Sequence, residues 1–399
     1  MKILIIETEI DGHYISLYLK NIVREILSRK IESLTIITKK SVTAGKNYKF
    51  FKNKKINIFY IRDIKKPKKY NFLSLFIYQI RYYFNIKKSF NKISKNKKFD
   101  LVYVNTLDHF DKALSIFGSP FKKVNFYGLF NHIRFHLNYF KLERNFLFRY
   151  LYEILFRRIL NIKYLKNIFT VDDYIKTYLD FQNIDNNKII KVNEALNIQN
   201  TVISKKKETA FKKKYLLSKN DFIILVYGAI RNDKGIKYLI NSVISNNFNK
   251  KIKIIIAGKC DSKILDDLKQ FQKFSNKFNF EIIIFNYFIN ETFQSILFSV
   301  SNLVWVGYTK YYGSSGVYYL AGHMKRPVII NNKGTLYYLN KKYKIGVATD
   351  VTDPKKVCDN INFIMHSGLR YYKNNFKQFI NINKKNIFSK QITDKILLS

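Results

Sequence analysis

A chain of 399 residues is long enough for two domains of ordinary size, and a hydrophobic content of 47% lets each bury a core. Only four prolines and 14 glycines exclude a disordered or low-complexity protein, and two cysteines, Cys260 and Cys358, exclude a disulfide framework and a zinc cluster. The 72 basic residues exceed the 28 acidic ones by 44, so the surface faces something anionic: lipid headgroups, nucleic acid or a phosphorylated substrate.

Residues 2–7 are a short apolar run that reads as a first strand rather than a signal peptide. No stretch approaches the ~18 uninterrupted apolar residues of a membrane span. Together with the cysteine count this points to the cytoplasm. The loop Asp11-Gly12-His13-Tyr14 leads into a helix ending near Leu27, with Leu17, Leu19, Ile22, Val23 and Ile26 mainly on one side. Residues 34–38 and 56–61 read as strands. Lysine-rich loops surround them. Residues 72–84 are aromatic and apolar, and Lys87, Lys88, Lys92 and Lys95 follow. Basic residues interleaved with Phe, Tyr and Ile fit a face that dips into anionic lipid headgroups; they fit equally an ordinary helix with a solvated lysine side.

Residues 99–105 and 123–127 are the next strands, with Asn105 at the carboxyl end of the first. His132 and His136 follow at metal-ligand spacing. No Glu stands between them and no third ligand is evident, so substrate contact or proton transfer fits them better than metal. Residues 137–165 read as one long basic amphipathic helix, 168–171 and 189–192 as strands, and the polar, lysine-rich 204–214 as the linker between domains.

From residue 221 onward strands and helices alternate, which predicts a parallel sheet. The strands are 221–227, 251–257, 280–285, 303–306 and 327–330; the intervening helices are 234–247, 261–276, 290–299 and 314–324. A helical tail spans 369–395. Two turns carry chemistry. Gly228 ends a strand, and Arg231 and Lys234 follow where the next helix begins. Two cations and free amides at a helix N-terminus suit a diphosphate, and Lys234 reads as exposed. Gly313-Ser314-Ser315-Gly316, with Val317, lies at the carboxyl end of strand 303–306, where open α/β sheets bind ligands. Its serines can cap the helix, and the helix amides can face an anion.

With these pieces in order, residues 221–366 resemble the donor-binding domain of retaining glycosyltransferases with the GT-B fold, family 4 in particular. Gly228-Ala-Ile-Arg-Asn-Asp-Lys-Gly235 is similar to that family's Gly-Arg-Leu-x-x-x-Lys-Gly turn. Ala257-Gly258 matches the strand end after it, and Lys325-Arg326-Pro327-Val328-Ile329 its Gly-Lys-Pro-Val-Ile segment. The chain departs from the family at Glu-x7-Glu, whose ungapped positions here are Tyr312 and Leu320. It departs again at Ala229, which replaces the Arg of Gly-Arg; Arg231 stands two residues on.

The resemblance implies an α/β GT-B fold, two Rossmann-like domains with parallel sheets facing across a cleft. Residues 1–203 would form the acceptor and membrane-facing domain and 204–380 the nucleotide-sugar-binding domain. Residues 381–399 would be a helical tail crossing back to the first. It implies hexosyl transfer with retention from a nucleotide sugar to a glycan or polyprenyl-linked acceptor, in bacterial-type surface polysaccharide synthesis. The place would be the inner face of an anionic membrane, with no cofactor and no metal. Gly12, Gly228, Arg231, Lys234, Ser314, Ser315, Gly316 and Val317 would surround the donor. His13, Asn105 and His132 would meet the acceptor, and His132, Arg231 and Lys234 would serve catalysis. Two other readings stay open: a non-catalytic GT-B relative acting as a membrane- or enzyme-binding subunit, suggested by the missing carboxylates, and a nucleic-acid-binding protein. The second rests on charge alone, without a motif, and nucleic acid is not the expected partner.

Overall fold

The computed structural model describes residues 1–9, 14–45, 48–64, 67, 72–131, 133, 135–136, 146–196, 204–246, 248–275, 278–309, 313, 315–384 and 387–398. The chain divides into two units. The first is Met1–Tyr139 with Glu143–Ala195 and Asn386–Ser399; the second contains Leu196–Lys385.

The first unit is built on β1 (Lys2–Ile6), β2 (Ser33–Lys39), β3 (Ile56–Ile61), β4 (Leu101–Val104), β5 (Asn125–Leu129), β6 (Leu165–Thr170) and β7 (Ile189–Lys191). They form one parallel sheet in the order β3-β2-β1-β4-β5-β6-β7. A parallel sheet is covered on both faces, which is why these strands are continuous apolar runs. Alternate residues of β1 enter different cores. Leu4 and Ile6 pack with Tyr82 and Phe90 of helix Phe72–Ile93, Leu114 of helix Asp111–Phe117 and Phe156 of helix Phe146–Leu160. Ile3 and Ile5 pack on the other face with Ile22, Val23 and Ile26 of helix Lys20–Leu27.

The end of the chain completes that second face. Phe388, Ile392 and Ile396 of helix Ile387–Leu397 join the core of Ile22 and Ile26, and Phe388 lies 5.0 Å from the Tyr18 ring. Arg29 pairs with Asp394 at 2.7 Å.

The second unit holds β8 (Phe222–Tyr227), β9 (Ile252–Ala257), β10 (Phe280–Phe285), β11 (Leu303–Val306), β12 (Val328–Asn331) and β13 (Gly346–Thr349), parallel in the order β10-β9-β8-β11-β12-β13. Ile224, Val226, Ile254, Ile256 and Trp305 pack with helices Ile236–Ile244 and Pro354–Tyr371. In each sheet the strand order reverses once, between β1 and β4 and between β8 and β11. Connections leave such a point in opposite directions and open a crevice at the carboxyl ends of the two strands.

Three expectations are corrected. The expected linker 204–214 is a helix, Lys205–Lys214. Ser204 caps it by accepting from the Lys207 amide, Glu208 sits in its first turn, and Phe211 buries itself against Phe285 and Phe293. One buried aromatic therefore converts a lysine-rich run into a docked element. The expected helix 137–165 is shorter, Phe146–Leu160, because β6 already begins at Leu165; residues 137–145 lie outside the described residues. The tail 369–395 is not one helix. It breaks between Lys373–Ile382 and Ile387–Leu397, and the preceding helix bends at Gly368, with φ +63°. No helix among the described residues is long and apolar enough to cross a membrane.

Candidate functional site

The crevice between β8 and β11 gathers the second unit's candidate residues. β8 ends at Gly228, whose φ of +95° suits glycine alone. The chain then turns through Ile230, which is buried, and a short 3-10 turn, Asn232–Lys234, to helix Ile236–Ile244. Backbone contacts bolt this turn to the end of β11. The Thr309 amide donates to the Asp233 carbonyl at 2.8 Å, and the Trp305 indole donates to the Lys234 carbonyl at 2.9 Å. Gly235, with φ +65°, comes so near that a Cβ there would lie 2.2 Å from the Gly307 carbonyl oxygen.

This docking turns Lys234 inward. It was expected to be an exposed cation; it is 6% exposed. Its Nζ donates to the Tyr308 hydroxyl at 2.7 Å and lies 4.0 Å from the centroid of the Tyr308 ring. A buried ammonium is costly unless hydrogen-bonded, and the phenol with its ring face offsets part of that cost. Burial pushes the Lys234 ammonium down to about 8; Asp233 opposes this and Arg231 adds to it. Burial also pushes the Tyr308 phenol well up, so it stays neutral.

The turn before helix Gly316–His323 reaches the same place. Ser315 is 2% exposed and stands at the N-cap position, yet its side chain makes no capping bond. Its hydroxyl donates instead to the Tyr308 hydroxyl at 3.3 Å. A Cβ built on Gly228 would lie 3.6 Å from Cγ2 of Val317 and 3.9 Å from Nζ of Lys234. Gly228, Lys234, Ser315 and Val317 therefore converge, with Gly316 opening the helix beside them. Arg231 remains half-exposed, and its guanidinium is engaged by the Asp233 carboxylate at 2.9 Å. Ser314 and Tyr312 lie outside the described residues. Leu320 is buried within the helix. Tyr308, the side chain that joins the two turns, was missed by the sequence reading; a tyrosine two residues beyond a strand end has no spacing signature.

The first unit has a polar crevice of its own between β1 and β4. Asn105 is fully buried there and donates its amide to the Glu7 carboxylate, so that part of the side chain is engaged inside the unit rather than presented to a ligand. His136 is also fully buried and faces Asp172, Nε2 to Oδ2 3.0 Å. Burial pushes the Asp172 carboxyl up, but the facing histidine and amides of Tyr174 and Ile175 outweigh it and hold the group below the usual range. Gly12, His13 and His132 lie outside the described residues. Among the described residues no group of three or more His, Cys, Asp or Glu side chains is placed to hold a metal ion.

Residues 207–385 match the model of a family described as glycosyl transferases group 1. No curated protein matches the chain. Solved structures of similar fold include a glycosyltransferase from Rickettsia africae, 15% identical over 99% of this chain and 98% of that one, with a TM-score of 0.64. HepE from Anabaena in complex with UDP is 12% identical over 100% of this chain and 99% of its own, with a TM-score of 0.67. UDP-GlcNAc 2-epimerase from Neisseria meningitidis, bound to UDP-GlcNAc, is 16% identical over 100% of both chains, with a TM-score of 0.59. Identities this low carry the fold alone, and the fold hosts both a transferase and an epimerase. What these comparisons say beyond the fold is the group 1 match over residues 207–385. Two Rossmann-like units give the fold these structures share, and the second unit carries the match to glycosyl transferases group 1.

Proposed function

We propose that the chain moves a hexose, with retention, from a nucleotide sugar to a hydroxyl of a glycan or lipid-linked acceptor. The setting is surface polysaccharide synthesis at the cytoplasmic face of a membrane. The observation that carries this reading is the Lys234 ammonium held between the β8 turn and the start of helix Gly316–His323. As the glycosidic bond breaks, negative charge builds on the leaving diphosphate. A buried ammonium and helix amides stabilise that charge more strongly than water does. Arg231 supplies a second cation once a diphosphate competes with Asp233 for it. No resident metal or cofactor enters this reading. HepE has been solved with UDP and with UDP-glucose, which makes these the first ligands to test.

The membrane part of the reading draws on the outer side of three helices of the first unit. Leu73, Phe84, Phe117, Leu147 and Tyr150 are exposed on helices Phe72–Ile93, Asp111–Phe117 and Phe146–Leu160, among Arg81, Lys87, Lys88, Arg157 and Arg158. Phe84 and Phe117 touch across two of these helices, ring centroids 5.3 Å apart. Apolar side chains interleaved with cations suit anionic lipid headgroups.

Calorimetry with UDP and UDP-glucose on the wild type and Lys234→Met tests the donor assignment, and the anomeric configuration of the product tests retention. Absence of binding by the wild type to both ligands defeats the UDP-donor reading. Leu320 favours a second reading, a non-catalytic subunit. Where the resembled family has a Glu, this buried side chain offers the ribose no acceptor. Nucleotide binding without turnover on any acceptor supports that reading.

A further inference from the structure

The second unit carries a leucine where its backbone calls for glycine. Helix Lys205–Lys214 is closed by two backbone bonds that reach back over its last turn. The Leu217 amide donates to the Lys212 carbonyl at 2.8 Å, and the Leu216 amide to the Lys213 carbonyl at 3.3 Å. Such a stop needs one left-handed residue, and here it is Leu216, with φ +50°. A Cβ in that region crowds the following carbonyl, so glycine is the usual occupant. The leucine recovers nothing inside the fold. It is 80% exposed, whereas Leu217 beside it is buried.

The strained turn is nevertheless locked. Lys253 of β9 is buried, and its Nζ donates to the Leu216 carbonyl at 2.7 Å. Glu281 at 3.0 Å and Asp221 at 3.6 Å hold that ammonium in turn. The Asp221 carboxylate also accepts from the Ser218 amide at 2.7 Å. On the other side of the turn, Phe211 pins the helix to Phe285 and Phe293. Leu216 is thus presented to solvent on a fixed backbone. Lys213, Lys214 and Lys219 lie within three residues of it and are exposed, as are Lys250 and Lys251 just before β9. Residues 209–220 contain no Asp or Glu.

We propose that Leu216 inserts into an anionic lipid surface, with the exposed lysines of this turn among the headgroups. The observations choose lipid over a protein partner. The apolar surface is one side chain wide, since Leu217 and Phe211 are buried, and a stable protein interface needs about 800 Å² on each partner. A bilayer accepts single side chains, and a turn already fixed loses little freedom on entering it. Charge of one sign around the leucine complements anionic headgroups. The inference rests on the membrane part of the proposed function and adds a contact outside the first-unit helices on which that part draws.

Fluorescence and co-sedimentation of the full chain with vesicles of phosphatidylcholine and phosphatidylglycerol in equal parts test it. The chain's one tryptophan, Trp305, is fully buried, so the indole introduced by Leu216→Trp reports its own surroundings against the wild-type spectrum. Its emission should shift to the blue with these vesicles and be quenched when their acyl chains are brominated. Leu216→Gly relieves the left-handed strain, so its melting temperature should rise, and it should bind the vesicles about tenfold more weakly. Vesicle binding that survives Leu147→Glu with Tyr150→Glu and falls further with Leu216→Gly supports the contact. A wild type that binds vesicles, with the indole unshifted and Leu216→Gly binding equally, overturns the proposal and leaves the first-unit reading standing. No vesicle binding by the wild type overturns both. An indole that shifts with a single-stranded oligonucleotide and not with vesicles overturns the lipid assignment in favour of nucleic acid.

Discussion

Lys234 Nζ and Tyr308 Oη lie 2.7 Å apart, and they join the turn after β8 to the turn after β11. The contact closes a crevice around a positive charge. Desolvation moves the ammonium from 10.5 to about 8. A bound diphosphate favours the charged form, so UDP affinity should be greatest below pH 8. Above it, affinity should fall by up to about tenfold per pH unit as the free protein loses that proton. Calorimetry across pH reads this directly; a flat profile through pH 8 would remove Lys234 from the diphosphate site. Tyr308→Phe keeps the ring and deletes the acceptor of the ammonium's hydrogen bond. It should weaken UDP binding by about 0.5–1.5 kcal/mol at neutral pH and move the fall to lower pH.

The same burial has a consequence for stability. Below pH 8 the lysine is charged in both states, so folding buries a charge. Between 8 and 10.5 the unfolded chain holds a proton that the folded chain lacks, so stability from this group rises with pH; above 10.5 the cost is gone. Lys234→Met should therefore be more stable than wild type at neutral pH by up to about 3 kcal/mol, the difference shrinking as pH rises through that window. Urea unfolding at several pH values measures it. A variant less stable than wild type at neutral pH would show that the phenol and ring fully compensate the ammonium.

Ser315 separates capping from site chemistry. Its side chain makes no cap bond, and its hydroxyl meets Tyr308. Ser315→Ala should cost about 0.5–1.5 kcal/mol of stability through that hydrogen bond and should lower UDP affinity with it. Unfolding and calorimetry on one variant decide the matter. Lost stability with wild-type UDP affinity would confine Ser315 to structure.

Gly235 tests the bolt between the two turns. At φ +65° a side chain is strained, and its Cβ would sit 2.2 Å from the Gly307 oxygen, a backbone atom that has no rotamer to yield. Gly235→Ala should cost about 3 kcal/mol, the upper end of ordinary single substitutions. Gly316, with no atom within 4 Å of its Cβ position, is the control expected to tolerate Ala. Equal melting temperatures for the two variants would contradict the packing described.

The apolar and basic helices of the first unit should bind vesicles containing anionic lipid, and salt should weaken that binding. Leu147→Glu with Tyr150→Glu should reduce it, since each apolar side chain transferred from water contributes about 1.5–3 kcal/mol when fully buried. Co-sedimentation reads the effect. Equal binding to neutral vesicles would argue against the anionic surface, and tighter binding to nucleic acid than to vesicles would favour a different partner.

Much of this was legible along the chain because it is encoded between near neighbours. Short apolar runs such as Phe222–Tyr227, bounded by turn residues, read as strands of a sheet covered on both faces. Glycines at 228 and 235 announced turns that other residues resist, and both take positive φ. What local sequence gets wrong is equally physical. Residues 204–214 look like a solvated linker until Phe211 finds Phe285 and Phe293, residues distant in sequence.

Sequence by itself determined the alternation of strand and helix, the turn glycines and the excess of positive charge, since each depends on residues a few positions apart. Tertiary structure alone decided the state of the side chains at the site. Lys234 became a buried, weakened base because β11 brings Tyr308 to it from 74 residues away. Ser315 turned from a cap into a partner of that phenol. The chain's last helix filled the face of the first unit's first strand. Burial and long-range pairing are properties of the assembled sheet, and no periodicity within a segment encodes them.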